Sequence, residues 1–418
     1  MPINTPDASI RDDDIVLCTP LRTPVGRYGG AFVNVPVQQL ASTVVSAVVE
    51  KSGLSADDID DVILGQASPN GAAPALGRIA ALDAGLGETI PGMQLDRRCG
   101  SGLQAITTAA AHIASGAADL IIAGGAESMS QTEYVVDAKV RWGLKAGTTA
   151  FIDRLQQARE TAGGKNHPIP GGMIETAENL RSEYSIPREV QDELSAESHR
   201  RAVAAQESGA FADEIVPIEV PASRRKDPAV IISSDEHPRP GTTVEKLSSL
   251  KPVLGRNDEN ATVTAGNASG QNDGAAAMIV TTRAKAAELG LTPMLRLRGW
   301  AVAGVAPETM GIGPVPATAK ALDKTGLSLA DMDVIELNEA FAAQALSVLK
   351  EWGIDKDDPR LNPVGSGISL GHPVGATGAR MLVSLAHQMK RSEGTLGLAT
   401  MCIGGGQGLA AIVEKETK

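Results

Sequence analysis

Two stretches of this chain carry the same pattern, and that repetition restricts the possible folds more than any other feature. In the first, Cys99-Gly-Ser-Gly opens a helix-compatible run of small residues over 106–118. That run feeds the apolar strand Asp119-Leu-Ile-Ile-Ala123, which ends at Gly124-Gly125. In the second, His372-Pro-Val-Gly opens a helix that feeds Thr395-Leu-Gly-Leu-Ala-Thr400 and the glycines Gly404 to Gly406. Each time, a reactive side chain is followed three residues later by glycine, Gly102 or Gly375. Such a repeat implies a duplicated βα domain whose two active helix starts face each other across a pseudo-dyad. One unit would supply a nucleophile and the other a base.

The rest of the chain fits an α/β reading. Ile15-Val-Leu-Cys-Thr19 is a short apolar strand, residues 37–52 have helical spacing, and Val62-Ile-Leu64 is a strand ending at Gly65. Alternation of this kind implies a mostly parallel sheet covered on both faces. Between residues 131 and 260 the rhythm is lost, charges become frequent and prolines cluster, with one charged helix expected over 188–208. The rhythm returns at Thr262, and another βα series runs from Met294. The expected division is therefore a first core half over 1–130, completed by 262–290, a loop subdomain over 131–261, and a second core half over 291–418. The first ten or so residues read as a loose acidic tail.

Composition narrows the classes. A net charge of −12 argues against nucleic-acid binding, and aromatics at 2 % leave no stacking platform for bases. The start has neither the basic nor the apolar segment of a secretory signal, and no apolar run is long enough for a membrane span. Three cysteines build no disulfide framework. The expectation is a cytoplasmic enzyme that binds neither nucleic acid nor membrane.

Cys99 is the leading candidate nucleophile. At a helix start it meets unpaired N–H groups and the positive dipole end, which stabilise a thiolate, and Gly100 and Gly102 let a ligand approach. A lone histidine is more often structural than functional. His372, however, lies among Gly365, Gly367, Gly371, Gly375 and Gly378, which a ligand-facing loop explains better, and Pro373 suits the first position of a helix. A free cysteine is most often a buried apolar residue. Cys402 precedes Gly404-Gly-Gly406, whose N–H groups can form an anion nest, so it too reads as functional, whereas Cys18, mid-strand, reads as core. Gly100-x-Gly102-x-x-Ala105, with Glu127 downstream, imitates a dinucleotide fingerprint, but Asp96-Arg-Arg-Cys99 stands where a long apolar strand is required. Walker A, HExxH and paired Cys-x-x-Cys motifs are absent, so nucleotide hydrolysis and structural zinc lack support.

Eight segments together resemble the thiolases, the acetyl-CoA acetyltransferases and 3-ketoacyl-CoA thiolases, over nearly the whole chain. They are Arg22-Thr-Pro24, Cys99-Gly-Ser-Gly-Leu-Gln-Ala105, Gly124-Gly-Ala-Glu-Ser-Met-Ser130 and Thr176-Ala-Glu-Asn179. Further on come Thr264-Ala-Gly-Asn-Ala-Ser-Gly-Gln-Asn-Asp-Gly274, Asn338-Glu-Ala-Phe-Ala342, Gly371-His-Pro-Val-Gly-Ala-Thr-Gly378 and Cys402-Ile-Gly-Gly-Gly-Gln-Gly408.

The resemblance implies a duplicated βαβαβ core in five layers, α-β-α-β-α, with an inserted loop subdomain. It implies an acyltransferase that condenses two acetyl-CoA to acetoacetyl-CoA and coenzyme A through an acyl-cysteine, reversibly. The alternative is a 3-ketoacyl-CoA thiolase acting on longer 3-oxoacyl-CoA. By position, Cys99 takes the nucleophile's role, His372 its base's and Cys402 that of the acid/base at C2. Asn338 holds a water that, with His372, makes one oxyanion hole; the N–H groups of Cys99 and Gly404 make the other. Met173, Ser269 and Met310 line the acyl and pantetheine tunnel, and Arg239 meets a phosphate of coenzyme A. Coenzyme A and acyl-CoA are substrates, no cofactor or metal is held permanently, and the chain forms a homo-oligomer, a dimer or a tetramer paired through residues 131–147.

The chain also departs from the family pattern. Asp96 replaces the usual Asn, Gly365-Ser-Gly367 replaces adjacent glycines, and Gly172 stands before Met173 where many short-chain members carry His. The last change leaves longer or branched acyl groups open. Two rival classes fit less well. A decarboxylating condensing enzyme of this fold would carry two histidines and meet an acidic carrier that a −12 chain repels, and a non-catalytic CoA- or lipid-binding relative would lack a reactive side chain.

Overall fold

A computed structural model describes residues 9–221 and 228–416; most of the expected acidic tail, residues 1–8, lies outside the described residues. The chain opens with β1 (Ile15–Arg22) and the two-residue β2 (Gly26–Arg27). Helix α1 (Val37–Ser52) buries Val37, Leu40, Ala41, Val44, Val45 and Val48, the stripe that a 3.6-residue period requires, and Gly53 ends it at φ +73°. Then follow β3 (Asp61–Gly65), α2 (Leu76–Asp83), β4 (Gly92–Leu95), α3 (Ser101–Ala114) and β5 (Leu120–Ser128).

Among the described residues the middle section contributes no strand to the main sheet. It holds the small pair β6 (Tyr134–Val135) and β7 (Ile152–Asp153), then helices α4 (Arg154–Glu160), α5 (Gly172–Glu183) and α6 (Arg188–Glu207). A second pair, β8 (Ile218–Val220) and β9 (Val230–Ile232), precedes α7 (Val244–Ser248). The main fold resumes with β10 (Asn272–Thr282), α8 (Arg283–Glu288), β11 (Pro293–Gly304), α9 (Pro314–Thr325), β12 (Val334–Leu337) and α10 (Ala342–Trp352). It ends with α11 (Gly367–Leu370), α12 (Val374–Arg391), β13 (Leu396–Ile403) and β14 (Gln407–Lys415).

Among the described residues ten strands form one sheet, ordered β12-β13-β14-β11-β1-β10-β5-β3-β4, with β2 beside β10. The expectation of a mostly parallel sheet does not hold: only β3–β4, β3–β5 and β12–β13 run parallel. Parallel neighbours need long crossovers, whereas β14 returns directly from β13 through Gly404, Gly405 and Gly406, and β10, β1 and β11 lie antiparallel side by side. The two halves meet where β1 pairs with β11.

Burial resolves five layers, α-β-α-β-α. Leu103 and Ile106 of α3 and Met381 and Leu385 of α12 share one apolar core with the inner faces of both halves, through Ile121, Met278, Met401 and Leu409. Val44 and Ala80 of α1 and α2 cover the outer face of the first half, and Ala321 and Val348 of α9 and α10 that of the second.

The two central helices touch along glycines. A Cβ on Gly102 would lie 2.9 Å from Gly375 O, and one on Gly378 would lie 2.6 Å from Leu103 N. Gly124 and Gly125, expected at a strand end, instead lie inside β5, where a Cβ on Gly125 would meet Gly375 O at 2.2 Å. Backbone packs directly on backbone here, so the strand continues and no side chain fits.

Candidate active site

Cys99 sits in a single 3-10 turn, Arg98–Gly100, that runs straight into α3. Arg98 just before it adopts φ +49°, an uncommon conformation for a side chain of this size. Ser101 fixes the turn by accepting from Arg97 N at 2.8 Å and donating to Arg98 O at 2.7 Å. Asp96 is exposed, and its carboxylate accepts from Arg98 N at 2.6 Å. The helix start does not leave a resting thiolate. Burial raises the Cys99 thiol above its ordinary value, outweighing the N–H of Gly404 and the charge of Arg98, which act in the opposite direction.

His372 reaches the same cavity from the opposite half, just ahead of α12, with Pro373 at the N-cap and the helix beginning at Val374. Its Nδ1 lies 2.6 Å from Thr377 Oγ1, and that hydroxyl donates to Pro373 O at 2.9 Å. The hydroxyl proton being used, Nδ1–H must donate to Thr377, so Nε2 is the free basic nitrogen. Nε2 is buried and has no hydrogen-bond partner among the described residues. Burial, with Arg380 and Arg159, pulls the imidazole down to about 3, so it is neutral at any working pH. Its backbone N–H donates to Asn272 Oδ1 at 2.9 Å.

Glu127 belongs to this framework and not to a ribose site. Its buried carboxylate accepts from Ala67 N and Gly375 N at 2.9 Å and from Ser68 N at 3.2 Å, which ties the start of α12 to the first half. Burial pushes its carboxyl up to about 7.

Cys99, His372, Gly404, Met173, Met310 and Ser269 all line one cavity of 520 Å³. Cys402 lies behind that wall, fully buried at the end of β13 and packed with Met173, Met310 and Phe341. Burial and the neighbouring Cys99 raise its thiol well above the ordinary value, so it rests protonated. Asn338 is fully buried too, and neither polar atom of its carboxamide has a hydrogen-bond partner among the described residues. Arg239 is not on the main wall. It lines a separate cavity of 290 Å³ with His199, His237 and Lys246, which shares Ala268 with the first. Cys18 is core, its thiol pushed up to about 12 by burial.

Sequence reasoning missed Thr377, Asn272 and Arg159. Only the first had a local signal, a hydroxyl in the first turn after His372. Among the described residues no group of three or more His, Cys, Asp or Glu side chains is arranged to hold a metal, and no helix is long and apolar enough to cross a membrane.

A thiol, a neutral imidazole with a free nitrogen, and an N–H aimed at the sulfur are the groups that acyl transfer through a cysteine requires. Residues 15–284 match the thiolase N-terminal domain and 291–415 the thiolase C-terminal domain. The acetyl-CoA acetyltransferase of Escherichia coli is 45 % identical, covering 96 % of this chain and 98 % of its own. The beta-ketothiolase BktB of Cupriavidus necator is 46 % identical over 96 % and 99 %, and the beta-ketoadipyl-CoA thiolase of Pseudomonas putida 44 % over the same shares. The crystal structure of the Bacillus anthracis acetyl-CoA acetyltransferase superposes with a TM-score of 0.91 at 43 % identity, covering 98 % of this chain and all of that one. The chain belongs to the thiolase family and is an acyltransferase.

Proposed function

We propose that the chain catalyses the reversible condensation of two acetyl-CoA to acetoacetyl-CoA and coenzyme A, and the reverse thiolysis of 3-oxoacyl-CoA. The observation that carries this reading is the shared cavity in which His372, neutral and with Nε2 free, accompanies Cys99. In thiolysis, His372 takes the Cys99 proton as sulfur attacks C3 of the substrate. The C2–C3 bond breaks, and the Cys402 thiol protonates C2, releasing acetyl-CoA. Coenzyme A then gives its thiol proton to the Cys402 thiolate and removes the acyl group from Cys99, which recovers its proton from His372. The raised Cys402 thiol suits a proton donor that waits protonated. The N–H groups of Cys99 and Gly404 hold the oxyanion formed at C3, and His372 with a water on Asn338 holds the enolate oxygen. The unpartnered carboxamide supports that role for Asn338.

Residues 1–130 with 262–290 form the half that carries the nucleophile, 291–418 the half that carries the base, and 131–261 the loop subdomain. Met173, Met310 and Ser269 line the acyl and pantetheine tunnel, and Arg239, with Lys246 beside it, receives a phosphate of coenzyme A. The chain assembles as a tetramer through its loop subdomain.

Labelling with radioactive acetyl-CoA and acid precipitation tests the core of the reading. Cys99→Ser abolishes retained label, because a hydroxyl is a far weaker nucleophile. Cys402→Ser still acylates Cys99 but loses condensation and C2 deuterium exchange, by about 10²–10⁴-fold. Label at wild-type levels in Cys99→Ser, or unimpaired exchange in Cys402→Ser, refutes these roles.

A further inference from the structure

Arg159 is a charged group on the pocket wall to which acetyl transfer assigns no role. It projects from α4 into the cavity that holds Cys99 and His372, close enough for its charge to act on both. Among the described residues its hydrogen-bond partner is an uncharged one: the Gln271 side-chain oxygen, oriented to accept, takes one N–H from each terminal nitrogen at 3.1 Å. Gln271 is in turn bridged through its backbone to His372. The guanidinium is thus fixed beside the catalytic histidine; Asp153, the acidic group whose charge acts on it most, is engaged in capping α4 through Leu155 N at 2.8 Å, and three of the five guanidinium N–H groups remain to be used.

Gly172 makes the room. A Cβ there would lie 3.3 Å from Arg159 Cβ, and its φ of +62° is one that glycine adopts freely. The remaining charges on the wall do not cancel Arg159. Arg98 donates to Ala158 O at 3.3 Å, and the exposed Glu160 is engaged by Gln156 at 2.8 Å.

Resting on the thiolase reading, we propose that the acyl group carried by Cys99 ends in a carboxylate received by Arg159. The substrate class is then the CoA thioester of a 3-oxo dicarboxylic acid. The pantetheine arm is uncharged, so an anion this close to the nucleophile has to come with the acyl group. A guanidinium and a carboxylate in a partly desolvated wall form a strong, directional pair. The chemistry of the site is unchanged: C2–C3 breaks, acetyl-CoA leaves with its proton from Cys402, and coenzyme A takes the carboxylate-bearing acyl group from sulfur.

Thiolysis of 3-oxohexanedioyl-CoA and of 3-oxohexanoyl-CoA, equal in carbon count, tests this directly. The wild-type enzyme favours the acid by about tenfold or more in kcat/KM, the usual scale for a hydrogen bond to a charged group. Arg159→Met brings that ratio to one or below, and Arg159→Lys keeps part of it. A wild-type ratio at or below one overturns the proposal without any variant, as does a ratio that Arg159→Met leaves unmoved. Failure to cleave either thioester or to acylate Cys99 overturns the thiolase reading instead, a separate result.

Discussion

The hydroxyl of Thr377 has one proton, and Pro373 O takes it at 2.9 Å, so the tautomer of His372 is set by a residue one helical turn away. Thr377→Val keeps the shape but removes the acceptor for Nδ1–H, and the ring then divides between tautomers. Acylation of Cys99 falls on the order of tenfold, short of the ~10²–10⁴ that loss of a general base costs. The pH dependence follows from the same burial. His372 titrates near 3 and not near 6.5, and the Cys99 thiol is raised. The neutral base is present above about 3 and is lost only as pH falls through that value. The acylation rate of the wild type is therefore flat between about pH 5 and 8, the window in which an ordinary histidine titrates. A stopped-flow profile with an inflection near 6.5 contradicts this. Cys99, His372 and Cys402 were legible because glycines crowd each of them. Asn272 and Arg159 were not: they act through contacts with His372 and Gln271, about a hundred residues away, that only the folded chain creates.

Elements were legible wherever their periodicity is local. The expected helix over 37–52 is α1 (Val37–Ser52), and the charged helix over 188–208 is α6 (Arg188–Glu207). Strand direction was not legible where it depends on distant segments, as where β10 pairs antiparallel with β5 and β14 with β11. The paired glycines predicted two facing helices, and Gly102 and Gly375 do meet, but the role of Gly125 emerges only from the contact of β5 with α12. Gly125→Ala puts a methyl 2.2 Å from Gly375 O and 3.0 Å from Gly102 Cα, where only backbone could give way. The variant loses about 1–3 kcal/mol of stability, read as a lower Tm. Because Gly375 anchors the turn after His372, acylation weakens at temperatures where the fold persists. An unchanged melt with full acylation refutes this account of the central layer.

A chain with three Trp, three Tyr and four Phe has few aromatics to leave in water, yet three lie exposed within one stretch of the loop subdomain, residues 134–151. Tyr134 is 63 %, Trp142 83 % and Phe151 76 % exposed, and Leu144 in the same stretch is 53 % exposed. Scattered apolar side chains on a surface need no explanation, but a cluster of large ones marks a contact. The sequence pointed to residues 131–147 through family resemblance alone, and Phe151 lies just ahead of β7, the strand that pairs with β6. At −12 per chain, copies repel one another, so in the proposed tetramer apolar burial has to provide the association. Each large side chain that becomes covered contributes about 1.5–3 kcal/mol. Trp142→Glu and Phe151→Glu each place a charge in that contact, and the pair together reduces tetramers to dimers in light scattering. The cluster is remote in sequence from Cys99, His372 and Cys402, so acyl-enzyme formation per chain persists in the dimer. A wild type that scatters as a monomer or dimer, or a double variant that stays tetrameric, removes this surface from the assembly.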